Sequence, residues 1–426
     1  MRFSLFFTTI FSLISFTNLY GQNVPLSNYE GYYLKTGTYP DDNTNWWMYN
    51  GLEVQGVTHD DNNWYFTLTT KGGGNGMLRR IPKSVALEGG SIQPSNPEIK
   101  LRTMSEVPEL APNYWHWGAP DHFRYNEKDY ILIPIPGLLI ACFQADNLEF
   151  INYANLNAVI QDYAGWCAVG ADSNIYTSSN HAWGVHRYDV DWDKLTTKSS
   201  DHSAMNYIQS YPFLDENGSP LQLFHMQGGD FTPSGDLLYL VCGSAGCDAL
   251  GWFGPTFGPG EPMPTDGIHV FETVSWKQVQ RSTNAQGGTT FFNYNFDNDC
   301  TCVNTGSQSP EGLTIWDLDD GTAPNISGQL HVIKDHYNMV CDDAITMQHF
   351  SFNVNIDNNL GVNPPTNPLT GTFSNPFINL NTAYNFYPIW DGAQMVLKSG
   401  IYNDTGIYNK RIRITSSGGA AIIGQQ

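Results

Sequence analysis

Short apolar runs alternate along this chain with clusters of Asp, Asn, Ser and Gly, and five stretches repeat one order. They are Gln55-Gly56-Val57-Thr58 leading to Trp64-Tyr65-Phe66, Trp117-Gly118-Ala119-Pro120 leading to Tyr130-Ile131-Leu132-Ile133, and Trp166-Cys167-Ala168-Val169 leading to Ile175-Tyr176-Thr177. The last two are Gln227-Gly228-Gly229-Asp230 leading to Leu237-Leu238-Tyr239-Leu240, and Glu311-Gly312-Leu313-Thr314 leading to Leu330-His331-Val332-Ile333. Each opens with a polar or Trp residue beside a small one, turns through polar residues or Gly, and returns as an apolar strand. A strand near an axis, a tight turn and a returning strand are how β-propeller blades read. Gly184 to Tyr188 and Gly267 to Phe271 alternate like half-buried outer strands.

Five starts are countable, and Thr346 to Ile356, where Phe350, Phe352 and Val354 alternate with polar residues, offers a sixth. The expected fold is therefore all-β, a five- or six-bladed β-propeller over residues 22–356. The starts are 49 to 84 residues apart, against roughly 40–50 for a bare four-stranded blade, so most intervals carry inserted loops. Residues 357–370 are a Pro/Asn/Gly-rich linker. Beyond it, residues 371–426 change character and form a short β-helix-like C-terminal appendage.

Composition agrees with a β-rich exported protein: 14% aromatic and 14% charged residues, with 41 Gly and 24 Pro, exclude a disordered or helical chain. Residues 1–21 read as a secretory signal peptide, with Arg2 before the apolar run Phe3 to Phe16 and a small-residue junction at Gly21. That run is shorter than the roughly 20 apolar residues of a spanning helix, so no membrane span is expected. A net charge of −21 disfavours nucleic acid and anionic membranes, both of which need a basic surface. Export makes disulfides plausible among the seven cysteines, Cys242 and Cys247 flanking a short flexible loop.

The candidate chemistry lies at the repeat starts. Gln55, Gln227 and Glu311 hold equivalent places facing the channel, and with Asp121 and Asp230 shortly after their own starts they supply oxygens suited to Ca²⁺. The alternative is that they bond strand backbones. A second group joins Trp115, His116, Trp117, Asp121 and His122 in one stretch, with Trp166, Tyr163 and His225 on matching faces. Aromatic rings beside His and carboxylate suit a sugar, the rings covering apolar faces and the polar groups fixing hydroxyls. In an enzyme, His116 or His225 would be the base, with Tyr163 close by and Glu311 or Asp121 as acid or orienter. The alternative is an aromatic blade core with satisfied histidines. No phosphate-binding loop, Gly-x-Ser-x-Gly elbow or His-Glu-x-x-His is present.

The segments His225-Met226-Gln227-Gly228-Gly229, Trp166-Cys167-Ala168-Val169, Pro310 to Leu318 and Gly328-Gln329-Leu330-His331-Val332 resemble a family of secreted bacterial propeller proteins, mostly without assigned activity. The resemblance covers about residues 50–335 and implies fold and export, with no catalytic residue. Asn375-Pro376-Phe377, Asp391-Gly392-Ala393, Met395-Val396-Leu397, Gly400-Ile401-Tyr402 and Lys410 to Ile414 resemble the opening coils of pectin-lyase-like parallel β-helix proteins. Little more than one coil is present, so that family's groove is not implied. The expectation is a secreted carbohydrate-binding or recognition propeller steadied by Ca²⁺, with a glycan or other extracellular ligand. The alternatives are an extracellular polysaccharide lyase or hydrolase and a structural adhesion module.

Overall fold

The computed structural model of the protein describes residues 36–39, 52–70, 75–87, 96–110, 116–135, 137–215, 217–233, 235–243, 267–283, 307–318, 321–324, 326, 329–337, 344–350, 353–358, 376–386, 394–406 and 413–424. The signal region, Trp115, the insertion at 245–266, most of the 357–370 linker and Cys247, Cys300, Cys302 and Cys341 lie outside them.

In the first and third repeats the hairpin turn satisfies its own polar groups through an aspartate. In the first, the Asp60 carboxylate accepts the backbone N–H groups of Asn62 (2.6 Å) and Asn63 (2.7 Å) and the Tyr65 hydroxyl. In the third, Asp172 does the same for the Asn174 N–H at 3.2 Å and the Tyr176 hydroxyl at 3.0 Å. These are Asx-type turns, which end one strand and start the next. The returning strands are largely apolar because another sheet covers each of their faces; Leu237–Cys242 is buried at every position.

Among the described residues, the hairpins grow into five four-stranded sheets in a β-propeller arrangement. Their innermost strands are Leu52–His59, Asp121–Tyr125, Cys167–Val169, Met226–Phe231 and Ser307–Ile315. Each inner strand touches the next, and the fifth touches the first, which closes a ring. An apolar cluster fills each gap between neighbouring sheets. The ring is latched by the N-terminal strand Thr36–Tyr39, which pairs antiparallel with Ala344–Phe350 and becomes the fourth strand of the fifth sheet. A latch of this kind leaves no long open edge between the two ends of the chain.

The stretch expected to offer a sixth blade is divided instead. Ala344–Phe350 is the third strand of the fifth sheet, while Asn353–Ile356 pairs in parallel with Gln394–Tyr402. Gln394–Tyr402 in turn pairs in parallel with Arg413–Ile423. This three-stranded parallel sheet has its own core, with the helix Leu380–Phe386 contributing Leu380, Ala383 and Tyr384 beside Phe377, Met395 and Leu397. No helix of the described residues is long and apolar enough to cross a membrane. Cys142 and Cys167 are unpaired buried thiols, and Cys242 is buried in a strand.

A histidine stack joins the first and fifth sheets. His331 approaches the carbonyl of Trp316 through Nε2 (2.8 Å) and His349 through Nδ1 (2.6 Å), while His59 stacks on the Trp316 ring at 4.4 Å. With a proton on Nε2 facing the carbonyl, His331 accepts at Nδ1, so His349 donates to it. Burial lowers His59 to about 4 and His331 to about 3, and holds His349 well below its ordinary value. These groups are neutral in the fold and protonate near 6.5 once unfolded, so their contribution is complete above about pH 6.5 and is lost as the pH falls toward 4. The denaturant midpoint is expected to drop steadily over that window; a flat midpoint would show that the stack is already solvated.

Candidate functional site

Neighbouring inner strands run in the same direction, as the parallel bridge between Ala119 and Trp166 shows. Their first residues therefore gather at one end of the axis, the entry end, and successive residues form levels down the channel. At one level the backbones nearly touch. A Cβ added to Gly228 would lie 2.6 Å from the Gly312 Cα, and one on Gly312 would lie 2.7 Å from the Gly56 Cα. One on Gly56 would lie 2.4 Å from the Ala119 Cα, and one on Gly118 would lie 2.2 Å from the Gly165 carbonyl oxygen. The small residue in each repeat is thus required by the narrow axis.

Just before this constriction, three inner strands carry β-bulges at equivalent positions. Pairing passes from Val54 to Gly56, from Met226 to Gly228 and from Pro310 to Gly312, leaving Gln55, Gln227 and Glu311 as the extra residues. A bulge turns its extra side chain out of the regular alternation, and bulges recur at barrel rims beside functional sites. Gln55 and Glu311 are each only 8% exposed. The Gln227 amide donates to the Gly243 carbonyl at 3.3 Å, so this residue bonds strand backbone.

Tyr163, from the loop before the third inner strand, stands against Gly165, whose added Cβ would meet its ring at 3.1 Å. Burial, with a smaller contribution from the Glu311 charge, pushes the Tyr163 hydroxyl above its ordinary range. Burial lowers His116 to about 4. Burial, helped by His181, lowers His225 to about 4. Both imidazoles are therefore neutral at pH 7, the state in which a histidine accepts a proton or a hydrogen bond.

One level below the constriction, Asp121 is buried and Asp230 half-buried within the ring. Asp121 accepts the N–H of His122 at 2.7 Å and that of Val169 at 2.6 Å, with the Thr58 hydroxyl at 3.5 Å. Asp230 accepts the Ile315 N–H at 2.8 Å and the Thr314 hydroxyl at 3.1 Å. Each carboxyl thus ties its own inner strand to the next. Burial, and for Asp121 the charge of Asp230, holds Asp121 well above the carboxylate range, while burial raises Asp230 to about 6.

The expected sites are regrouped by this arrangement. Gln55, Gln227, Glu311, Tyr163, His116 and His225 gather at the entry end, whereas Asp230 lies deeper and bonds strand backbone. Trp117 and Trp166 are fully buried, which corrects the expectation of exposed stacking platforms. Trp117 packs 5.3 Å from Phe143, and the Trp166 Nε1 donates to the Ser178 hydroxyl at 2.9 Å. His122 meets Asp129 at 2.9 Å within its own sheet rather than at the mouth. Among the described residues no group of three or more His, Cys, Asp or Glu is placed to hold a metal ion.

Sequence reasoning missed His181, Trp183 and Phe224. They flank the mouth on loops that begin after Ile175–Thr177 and precede Met226–Phe231. The available signal was Ser178-Ser179-Asn180-His181-Ala182-Trp183, a polar and aromatic run between two strands.

The chain matches no family model and no curated protein. Similar solved structures include hydrazine synthase of Kuenenia stuttgartiensis, at 11% identity over 49% of this chain and 39% of that one, with a TM-score of 0.24. The β-propeller domain of a Myceliophteria thermophila protein is 8% identical over 68% of this chain and 66% of that one, with a TM-score of 0.31. The catalytic domain of the Coprinopsis cinerea GH62 α-L-arabinofuranosidase is 12% identical over 76% of this chain and 98% of that one, with a TM-score of 0.43. None of these likenesses bears on what this chain binds.

Proposed function

We propose that this is a secreted five-bladed β-propeller that binds carbohydrate at the entry end of its channel, its parallel sheet forming a β-helix-like appendage. The observation that carries the reading is the set of three equivalent bulges that place Gln55, Gln227 and Glu311 at the entry end, where the Glu311 charge acts on Tyr163. A recessed carboxylate and two amides on strands, with a phenol from the neighbouring loop, are hydroxyl-directed groups, and such sites fix a ligand with few, well-placed polar contacts. The acidic balance of the chain favours neutral glycans over polyanions.

The test is binding to immobilised neutral glycans by the secreted chain and its Glu311→Gln and Tyr163→Phe variants. Loss of a hydrogen bond to a charged group costs roughly 1.5–3 kcal/mol, so Glu311→Gln should weaken binding about tenfold or more. Wild-type affinity in both variants, at unchanged melting temperature, would remove the mouth from consideration. One carboxylate and two amides fall short of the six to eight oxygens of a Ca²⁺ shell, so calcium would need ligand hydroxyls to complete it. Binding abolished by EDTA and restored by Ca²⁺ would establish such shared coordination.

The proximity of Tyr163 to Glu311, with neutral His116 and His225 at the same end, also supports a polysaccharide-cleaving enzyme. New chain ends released from a bound polysaccharide, and their loss in His116→Ala or His225→Ala, would decide for catalysis.

A further inference from the structure

We propose that Trp183, His181, Phe224 and His225 form a second sugar subsite on a crest beside the mouth, so that the ligand is an oligosaccharide rather than a single sugar. This rests on the carbohydrate reading above and specifies its ligand. Among the described residues Trp64, Trp117, Trp166, Trp192, Trp276 and Trp316 are all buried, and Trp183 alone among the tryptophans is exposed, at 56%. Exposing so large an apolar ring forgoes a substantial burial energy, of about 1.5–3 kcal/mol for a large side chain.

The backbone that carries Trp183 is held on every side. Ala182 and Leu223 exchange two N–H to carbonyl bonds at 3.1 and 3.0 Å, and the Trp183 carbonyl accepts the Phe213 N–H at 2.8 Å. One residue back from His181, the Asn180 carbonyl accepts the Met226 N–H at 3.0 Å. An exposed aromatic on an anchored backbone loses little conformational freedom when a ligand covers it, which is what a stacking platform requires.

The polar partners are also oriented. The His225 N–H donates to His181 Nδ1 at 3.3 Å, so with Nδ1 accepting, the His181 ring has its N–H at Nε2 and presents it as a donor. His181 stands edge-on to His225 at 4.6 Å and lies 5.6 Å from Phe224. His225 itself adopts a left-handed φ of 50°, a conformation costing a non-glycine residue of the order of 1 kcal/mol and found preferentially at functional sites. The crest is continuous with the mouth: the Ser179 hydroxyl donates to Asp162 at 2.6 Å, and Asp162 adjoins Tyr163. A glycan seated at Tyr163 and Glu311 therefore extends toward Trp183.

The test titrates the full chain with neutral mono-, di-, tri- and hexasaccharides of the gluco- and manno-series, following tryptophan fluorescence and calorimetry. Wild-type affinity is expected to rise about tenfold or more from monosaccharide to trisaccharide. Trp183→Ala should abolish that rise at unchanged melting temperature and leave monosaccharide affinity intact, with His181→Ala giving a smaller loss of the same pattern. Glu311→Gln should instead weaken binding at every length. Wild-type trisaccharide affinity in Trp183→Ala would overturn the subsite and leave the mouth standing. Failure of the wild-type chain to bind any of these sugars would overturn the carbohydrate reading and the subsite with it.

Discussion

Gly118→Ala is expected to destabilise the protein by at least about 3 kcal/mol, because the new methyl group has nowhere to go. Its Cβ would sit 2.2 Å from the carbonyl oxygen of Gly165 and 2.8 Å from the carbonyl carbon, both backbone atoms that no rotamer change can move. Relief requires the second and third inner strands to separate, which breaks the 2.8 Å bond from the Ala119 N–H to the same Gly165 oxygen. Gly118 is not among the residues with a left-handed φ, so the requirement is for space alone. Val159→Ala, at a position 91% exposed, is the control and should change stability by no more than about 0.5 kcal/mol. Equal denaturant midpoints for Gly118→Ala and wild type would mean that the two strands do not touch in solution.

The second large effect is a contrast between two aspartates at one level of the channel. Asp121 uses both oxygens as acceptors, Oδ1 for the His122 N–H and Oδ2 for the Val169 N–H. An asparagine there must turn its NH₂ group against one of those donors, and Asp121→Asn is expected to cost about 1–3 kcal/mol. Asp230 takes both the Ile315 N–H and the Thr314 hydroxyl on Oδ2 alone. Asp230→Asn can keep both of those bonds through its single carbonyl oxygen while removing a half-buried charge, although the Phe231 N–H also bonds this carboxyl. The folded Asp230 titrates at about 6 rather than 3.8, so its favourable contribution is full below about pH 3.8 and is lost as the pH rises through 6. Asp230→Asn should therefore gain at most about 3 kcal/mol near pH 8 and close to nothing near pH 4, where the folded wild-type residue is already neutral. A loss near pH 8 would show that its carboxylate is needed in the charged state.

The contrast also shows how much of the site could be read in advance. The five hairpins were legible because each is local: a strand, a turn of polar residues or Gly, and a returning strand within a few tens of residues. Trp117 and Trp166 were not, since a Trp beside a small residue reads alike whether it faces solvent or a neighbouring sheet. Gln55, Gln227 and Glu311 could be recognised as equivalent, but their bulges could not, because a bulge is defined by the partner strand skipping a residue. Asp121 and Asp230 could both be placed near the repeat starts, but only the ring sets them at one level and lets the charge of one act on the other. Trp183 was overlooked for a similar reason: exposure follows from how Ala182, Leu223 and Phe213 hold the backbone, and these contacts join separate loops.

The sequence by itself determined the β class, the hairpin units and the small residue each unit carries toward the axis, since these follow from side-chain period and turn chemistry over short spans. Only the tertiary structure decided which small residues touch and which polar side chains share a level. It also decided that Thr36–Tyr39 closes the sheet containing Ala344–Phe350. Those outcomes depend on strands far apart in the chain meeting around one axis, and sequence order carries no record of that distance.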